Sequence, residues 1–163
     1  MNSRYQITAA TSVYFNEILS LFSSQEELFL IYPSAVWPFD LSQLIDLSDK
    51  RFELTVMLES EIVIGFANLY RSLSEDKVFI GNVVVSKAHR GKGAGRQLVR
   101  HMCGRVFEKY ASEAHLTVFN QNTPALILYS TLGFRPYDLE LRQMPNSELT
   151  LAIHMKLGRR DWR

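Results

Sequence analysis

The chain has 163 residues, a length typical of one domain, and 47% of them are hydrophobic, enough to build a buried core. A formal net charge of +1 gives no indication of a nucleic-acid-binding protein or of one that binds anionic membranes. The single cysteine, Cys103, excludes an internal disulfide framework and a cysteine-rich zinc site, and we expect it to be a small buried hydrophobic residue.

The ends of the chain carry no targeting or anchoring pattern. The N-terminal segment lacks the basic and apolar regions of a signal peptide. No apolar run approaches the roughly 20 residues that a membrane-spanning helix needs. We therefore expect one domain over residues 1–163, a cytoplasmic location, no membrane partner, and a frayed tail at residues 159–163.

The first third of the chain predicts a short strand followed by helices. Residues 5–8 favour the strand, and apolar spacing predicts a helix over residues 12–22. Pro33 and Pro38 interrupt the apolar stretch that follows, which predicts an aromatic loop. A short helix then ends near Leu47.

Three strands are predicted next, over residues 51–60, 61–72 and 77–86, and they should form an antiparallel meander. Two glycines interrupt this pattern. Gly65 indicates a bulge or a close backbone approach, and Gly81 indicates an irregularity in the third strand.

The second half of the chain alternates helices with strands. Apolar spacing predicts a helix through residues 99–110, a strand at 115–120, a helix at 122–134 and a last strand at 148–157. Because a helix separates the strands at Val83 and Leu116, these two strands should be parallel neighbours. The predicted fold is α/β: a mixed, mostly antiparallel sheet with a central parallel pair, flanked by helices on both faces.

A glycine-rich loop between the third strand and the next helix is the main functional signal. Gly91, Gly93 and Gly95 allow an anion to approach the backbone, and the free amides of a helix N-terminus attract negative charge. Arg90 and Lys92 add positive charge. The alternative is a solvated turn that only needs glycine for its backbone angles.

Two nucleotide-binding patterns do not fit this loop. The P-loop pattern fails because no glycine lies five residues before Gly91 and no Ser or Thr follows Lys92 at the required place. The dinucleotide pattern G-x-G-x-x-G would need a glycine at Arg96.

A third pattern does fit. Residues 90–95, RGKGAG, match [QR]-x-x-G-x-[GA], the pyrophosphate-binding signature of the GCN5-related N-acetyltransferases, and the chain resembles that family from about Glu61 to Phe134. A second family motif, N-x-x-A-x-x-[LX]-Y followed by Gly-Phe, lies about 30 residues further on. It is carried by Asn122, Ala125, Leu128, Tyr129, Gly133 and Phe134.

The resemblance implies acetyl-CoA as co-substrate, without a metal. The main chain of Val83 and Val85 would bind the pantetheine arm and the acyl carbonyl, beside a bulge near Gly81 and Asn82. Asn122 would contact the same arm, or alternatively cap a helix. The pyrophosphate would be held by the backbone of Arg90, Gly91, Lys92, Gly93, Ala94, Gly95 and Arg96.

The resemblance also implies that Tyr129 is the general acid that protonates the departing thiolate. The alternative is a half-buried tyrosine that only packs against the sheet. No general base is identified: Phe79 and Asn82 stand where many relatives have a glutamate, and His154 is more typical of a satisfied surface histidine.

In this family the acceptor binds beside the N-terminal half, which implies a wall formed by Tyr32, Trp37 and Phe39. Alternatively, these aromatic residues pack onto the core. The predicted activity is direct attack by a primary amine of a small-molecule acceptor on acetyl-CoA. A peptide N-terminus as acceptor and a non-catalytic acyl-CoA sensor remain open, no nucleic-acid partner is expected, and the resemblance implies a homodimer.

Overall fold

One seven-stranded sheet organises the computed structural model, which describes residues 3–163, and its strand order is β1-β2-β3-β4-β5-β7-β6. The strands are β1 (Gln6–Ala9), β2 (Phe52–Glu59), β3 (Ile62–Arg71), β4 (Val78–Val85), β5 (Glu113–Phe119), β6 (Arg135–Gln143) and β7 (Leu149–Gly158). The helices are α1 (Phe15–Leu19), α2 (Gln25–Ile31), α3 (Leu41–Lys50), α4 (Ala94–Lys109) and α5 (Thr123–Thr131).

Alternation along the central strands creates two cores, one on each face of the sheet. Successive side chains of a strand point to opposite faces. Val56 and Phe66 pack with the N-terminal helices on one face, while Met57 and Ala67 pack with α4 and α5 on the other. The predicted helices on both faces are therefore confirmed.

The pairing of the strands confirms the predicted mixed sheet. β2, β3 and β4 form the antiparallel meander, and β4 and β5 are the parallel pair. The strand β6, whose residues the sequence did not assign, pairs antiparallel with β7 and forms one edge of the sheet.

Helix α2 was not predicted from the sequence, because the prolines at 33 and 38 favoured a loop for the whole apolar stretch. Ser24 caps this helix by accepting a hydrogen bond from the amide of Glu27 at 3.1 Å. Ser-x-x-Glu is the sequence pattern of a capping box, so the signal was present in the sequence. Only the segment after Tyr32 is a loop, and Asp40 caps the following helix, α3.

The C-terminal tail is packed, in contrast to the predicted frayed end at 159–163. Residues Arg159–Asp161 form a 3-10 helix, and the amide of Arg159 donates to the carbonyl of Ser112 at 2.8 Å. The Trp162 ring lies 5.7 Å from the Phe107 ring, centroid to centroid. The tryptophan therefore anchors the tail against α4.

Among residues 3–163, no helix combines the length and the apolar character that crossing a lipid bilayer requires.

Candidate active site

The parallel strands β4 and β5 separate soon after they meet. Their register includes only Val78 opposite Ala114 and Phe79 opposite His115. Beyond these pairs the strands diverge, although each continues for several residues. A slot therefore opens in the middle of the sheet. The backbone groups that β4 and β5 direct into this slot have no partner strand, although each strand pairs with a neighbour on its other side.

A bulge in β4 lies at the mouth of this slot. Phe66 of β3 is opposite Val84 and Asn68 is opposite Gly81, so Ala67 faces two residues of β4. Those two residues are Asn82, whose φ is 53°, and Val83. Because a bulge leaves the extra residue outside the ladder, the main chain at Val83 is free for a ligand. The predicted irregularity at Gly81 and Asn82 is thus present.

The side chain of Asn82 stabilises the bulge from within. Its carbonyl oxygen accepts hydrogen bonds from Arg51 at 2.6 Å and from Asn68 at 2.7 Å, and its amide donates to the Ile31 carbonyl at 3.1 Å. Asparagine tolerates a positive φ better than most residues. This network connects the bulge in the sheet to the end of α2.

The glycine loop presents free amides at the start of α4. Gly91 and Gly93 have φ values of 72° and 87°, which explains glycine at both positions. In the described chain, no backbone carbonyl accepts from the amides of residues 91–96, and the first helical bond of this region runs from Gln97 to Gly93. A Cβ at either glycine would meet no protein atom within 4 Å. The loop is therefore an open cradle of N–H donors, suited to a diphosphate.

The charged side chains around the cradle are held by protein partners. Arg90 pairs with Glu27 of α2 at 2.9 Å and donates through Nε to the Val85 carbonyl. The ammonium of Lys92 donates to the Ala88 carbonyl at 2.8 Å. The backbone, rather than these side chains, offers the unsatisfied donors.

Two clefts meet in the slot. The first, which we call the glycine-loop cleft, has a volume of about 530 Å³ and runs from Gly91 and Gly93 along Val83 to Tyr129. The second, the Arg51 cleft, has a volume of about 580 Å³ and is lined by Arg51, Tyr70 and Arg142. Both volumes are typical of small-molecule sites. Val83, Asn122 and Tyr129 line both clefts and mark their junction.

Tyr129 is placed at this junction by helix α5. Its side chain is only 7% exposed, yet it lines both clefts. Burial, with a smaller contribution from Cys103, raises the pKa of the Tyr129 hydroxyl far above its usual range. The hydroxyl is therefore protonated at neutral pH and is available as a proton donor.

Asn122 stands at the N-terminal end of α5, but its side chain makes no capping hydrogen bond. Pro124 occupies the first turn and reduces the need for a cap, since proline has no amide to satisfy. The side chain of Asn122 therefore does not cap the helix. Asn122 lines both clefts.

Only one of the three aromatic residues expected in the acceptor wall is in the Arg51 cleft. Tyr32 lines it. Phe39 is 7% exposed and packs edge-to-face against Phe22 and Tyr32, so it belongs to the core. Trp37 is 38% exposed on the surface and lines neither cleft. The loop turns away from the slot between Pro33 and Asp40, which corrects the expectation for Trp37 and Phe39.

No carboxylate is free to act as a base at the junction. Within residues 3–163, no Asp or Glu lines the Arg51 cleft, and Glu27 of the glycine-loop cleft is paired with Arg90. His154 lies outside both clefts, with Nδ1 2.8 Å from Thr117 Oγ1 and Nε2 3.3 Å from Glu140.

Cys103 is buried, and burial raises the pKa of its thiol to about 12. The described residues also contain no cluster of metal-ligating side chains.

Comparison with known proteins identifies relatives of this arrangement. The model of the acetyltransferase (GNAT) family matches residues 15–134. The streptothricin acetyltransferase of Streptomyces lavendulae is 33% identical over 112 residues, which is 68% of this chain and 59% of that protein. An uncharacterized N-acetyltransferase of Bacillus subtilis is 39% identical over 127 residues, covering 64% of this chain and 47% of the relative. The chain thus spans about half the length of these curated relatives.

Solved structures show the same fold. The spermidine N-acetyltransferase of Vibrio cholerae, solved with CoA and spermine, superimposes with a TM-score of 0.80 over 98% of both chains. Its sequence identity to this chain is 16%, so the likeness concerns the fold.

Proposed function

Because the chain belongs to the acetyltransferase (GNAT) family, we propose that it transfers an acetyl group from acetyl-CoA to the primary amine of a small molecule. The observation that carries this proposal is the junction of the two clefts. A cradle of free amides leads along a bulged strand to a buried, protonated tyrosine, and a second cleft reaches the same tyrosine from the other side. The direct experiment is thiol release from acetyl-CoA in the presence of a panel of amines.

The glycine-loop cleft is proposed to bind the co-substrate. The amides of residues 91–96 bind the diphosphate, and the main chain at Val83, which pairs with no residue of β3 or β5, binds the pantetheine arm as a neighbouring strand would. At Val85 the carbonyl is already bonded to Arg90, so the amide is the group proposed to bind the arm. Asn122 adds an amide side chain at the same place. This arrangement directs the thioester sulfur toward Tyr129.

The chemistry at the junction is proposed to be direct attack. The lone pair of the neutral amine forms the C–N bond, the C–S bond breaks, and its electron pair leaves on sulfur. Tyr129 gives its proton to that sulfur and regains one from solvent, while the new amide nitrogen loses its extra proton to water. A proton donor helps because the thiol has a pKa of about 8.5, and a bare thiolate is a poorer leaving group.

The lack of a free carboxylate limits the amines that react well at neutral pH. Deprotonating a lysine-like amine of pKa about 10.4 costs roughly 4–5 kcal/mol at neutral pH, whereas an α-amine near 7.8 costs about 1 kcal/mol. This site suits an amine of low pKa, or an amine whose proton is passed to solvent through a water molecule. A peptide N-terminus satisfies the same condition and is the second candidate acceptor.

The dependence of kcat/KM on pH tests this mechanism. We expect kcat/KM to rise with pH up to the pKa of the acceptor amine, because only the neutral amine attacks. We expect no falling limb below about pH 10, because burial raises the pKa of Tyr129 and keeps this acid protonated. Two acceptors whose amine pKa values differ should be compared. A rising limb at the same pH for both would contradict the mechanism and indicate a base on the enzyme.

The edge strand β6 supports the proposal of a homodimer. Its outer side pairs with no strand in the described part of the chain, and Leu139 and Leu141 are exposed on one face of it. We expect wild-type protein to sediment as a dimer and the double variant Leu139→Lys, Leu141→Lys to sediment as a monomer. A monomeric wild type, or a dimer that persists in the variant, would contradict this interface.

A further inference from the structure

The Arg51 cleft contains one positive charge, that of Arg51, that no carboxylate of residues 3–163 neutralises. Arg51 is mostly buried at the start of β2, and it forms no ion pair with any carboxylate of residues 3–163. A buried cation without a counter-ion is costly, so its presence points to a function or to a ligand that supplies the missing charge.

The hydrogen bonds of Arg51 show which side of the guanidinium is free. Nη1 donates to Asn68 at 3.1 Å and to Asn82 at 2.6 Å. In the described chain, Nε and Nη2 donate to no protein acceptor, and neither is sealed from the cleft. These two atoms form the edge of a guanidinium that binds both oxygens of a carboxylate.

Aromatic rings fix the orientation of this group. The guanidinium carbon of Arg51 lies 4.3 Å from the Tyr70 ring centroid and 5.1 Å from that of Tyr32. Such stacking, together with the two asparagines, holds the side chain in one position before a ligand arrives. A preorganised donor pair loses little entropy on binding.

A second arginine approaches the same cleft from β6. The Nε atom of Arg142 is buried and has no hydrogen-bond partner, while its Nη2 donates to Glu140 at 3.1 Å. Both Arg51 and Arg142 act on the Tyr70 hydroxyl: their charges oppose the rise in its pKa that burial causes. Both arginines and Tyr70 line this cleft.

The remaining lining is apolar or neutral. The apolar part of the lining is formed by Phe29, Leu30, Ile80, Val118 and Phe119, which we call the apolar wall. Within residues 3–163, no acidic side chain lines the cleft. A polycation such as spermine, the ligand in the Vibrio cholerae structure, would find two arginines and no acidic side chain in the lining of this cleft.

We infer that the acceptor is a small amino acid-type molecule, a primary amine that also carries a carboxylate, and that Arg51 and Arg142 bind this carboxylate. The inference rests on the proposed acetyl transfer and specifies its substrate class. The carboxylate bridges the Nε–Nη2 edge of Arg51, the apolar wall accommodates a hydrophobic side chain, and the amine is directed to the junction at Tyr129.

Matched acceptor pairs test this inference. Leucine, methionine and phenylalanine are each compared with their carboxamides in the thiol-release assay. The amide has the less basic amine, so a preference for the free acid cannot arise from amine basicity. We expect kcat/KM to favour the acid by at least about tenfold for one or more pairs, the effect of one charge-assisted contact.

Variants assign the preference to the arginines. Arg51→Gln and, separately, Arg142→Gln should reduce the ratio of acid to amide at least about tenfold, mainly through the KM of the acid. The control is Arg71→Gln, since the Arg71 guanidinium also lies over an aromatic ring, 5.5 Å from the Phe52 centroid, but outside both clefts. This variant should keep the wild-type ratio. Calorimetric binding of acetyl-CoA to each variant reports that it is folded.

The outcomes separate this inference from the proposed function. With kcat/KM expressed per neutral amine, equal or better transfer to the amides by wild-type protein overturns the carboxylate site and leaves the acetyltransferase intact. A wild-type preference for acids that persists in both folded variants overturns the assignment to these arginines. Absence of thiol release with every acid and every amide overturns the proposed function and, with it, this inference. If Arg51→Gln does not fold, Arg142→Gln and the wild-type ratios decide the question.

Discussion

Replacing Tyr129 with phenylalanine should lower kcat by at least about 100-fold while leaving the affinity for acetyl-CoA within about twofold, because general acids contribute roughly 10²–10⁴-fold to catalysis. The substitution removes one hydroxyl and preserves the ring that packs in the core. The proton of this hydroxyl is the one that Tyr129 is proposed to give to the departing sulfur. Steady-state kinetics with a reactive amine, together with calorimetric titration of acetyl-CoA, measure the two effects separately.

Tyr5→Phe is the matched control for this experiment. The Tyr5 hydroxyl is also buried, but it has no hydrogen-bond partner and lies outside both clefts. Its removal should leave kcat unchanged. A non-catalytic acyl-CoA sensor would behave differently, because it would show no turnover to lose. If Tyr129→Phe retains most of the wild-type kcat, the tyrosine has only the packing role.

The second large effect is expected from a negative charge placed in the cradle. Gly93→Asp should weaken acetyl-CoA binding at least tenfold, because a carboxylate about 4 Å from a phosphate charge costs roughly 4 kcal/mol near a protein surface. A side chain at Gly93 meets no protein atom within 4 Å, so it fits without a clash. Its carboxylate would occupy the space intended for the diphosphate.

Gly93→Asn separates charge from shape in this test. Asparagine and aspartate have nearly the same size, and both tolerate the positive φ of 87° at this position better than other residues do. We expect Gly93→Asn to bind acetyl-CoA much more tightly than Gly93→Asp. Added salt should reduce the difference in acetyl-CoA affinity between the two variants, since salt screens exposed charges. Equal weakening by the two variants would mean that backbone geometry, and not anion binding, explains the glycine.

Local sequence patterns were sufficient to predict every strand of the sheet except β6, and to predict the glycine loop. The alternation of Leu54, Val56 and Leu58 in β2 places these side chains in one core, and the glycines at 91 and 93 indicate backbone conformations that few other residues adopt. Because a helix connects β4 to β5, their parallel pairing also followed from the order of elements. These features depend on residues that are close together in the chain.

The acceptor side could not be predicted in the same way. Arg51 reaches Asn68 and Asn82 across 17 and 31 residues of sequence, and no spacing pattern connects them. The same applies to Arg142, which comes from a strand that the sequence did not assign. The sequence left open whether Phe39 and Trp37 line the acceptor site or pack onto the core, because composition cannot tell whether a loop residue faces a cleft, the core or solvent. Helix α2 is different, since its Ser24 and Glu27 carried a readable start signal.

Titration calorimetry of the folded protein with coenzyme A and with pantetheine tests the central claim most directly, because pantetheine lacks the diphosphate that the amides of residues 91–96 are proposed to bind. We predict saturable heat for coenzyme A at one site per chain and binding to pantetheine that is weaker by at least about tenfold, or about 1.4 kcal/mol. Absence of heat with coenzyme A, from protein that circular dichroism shows to be folded, would contradict the claim.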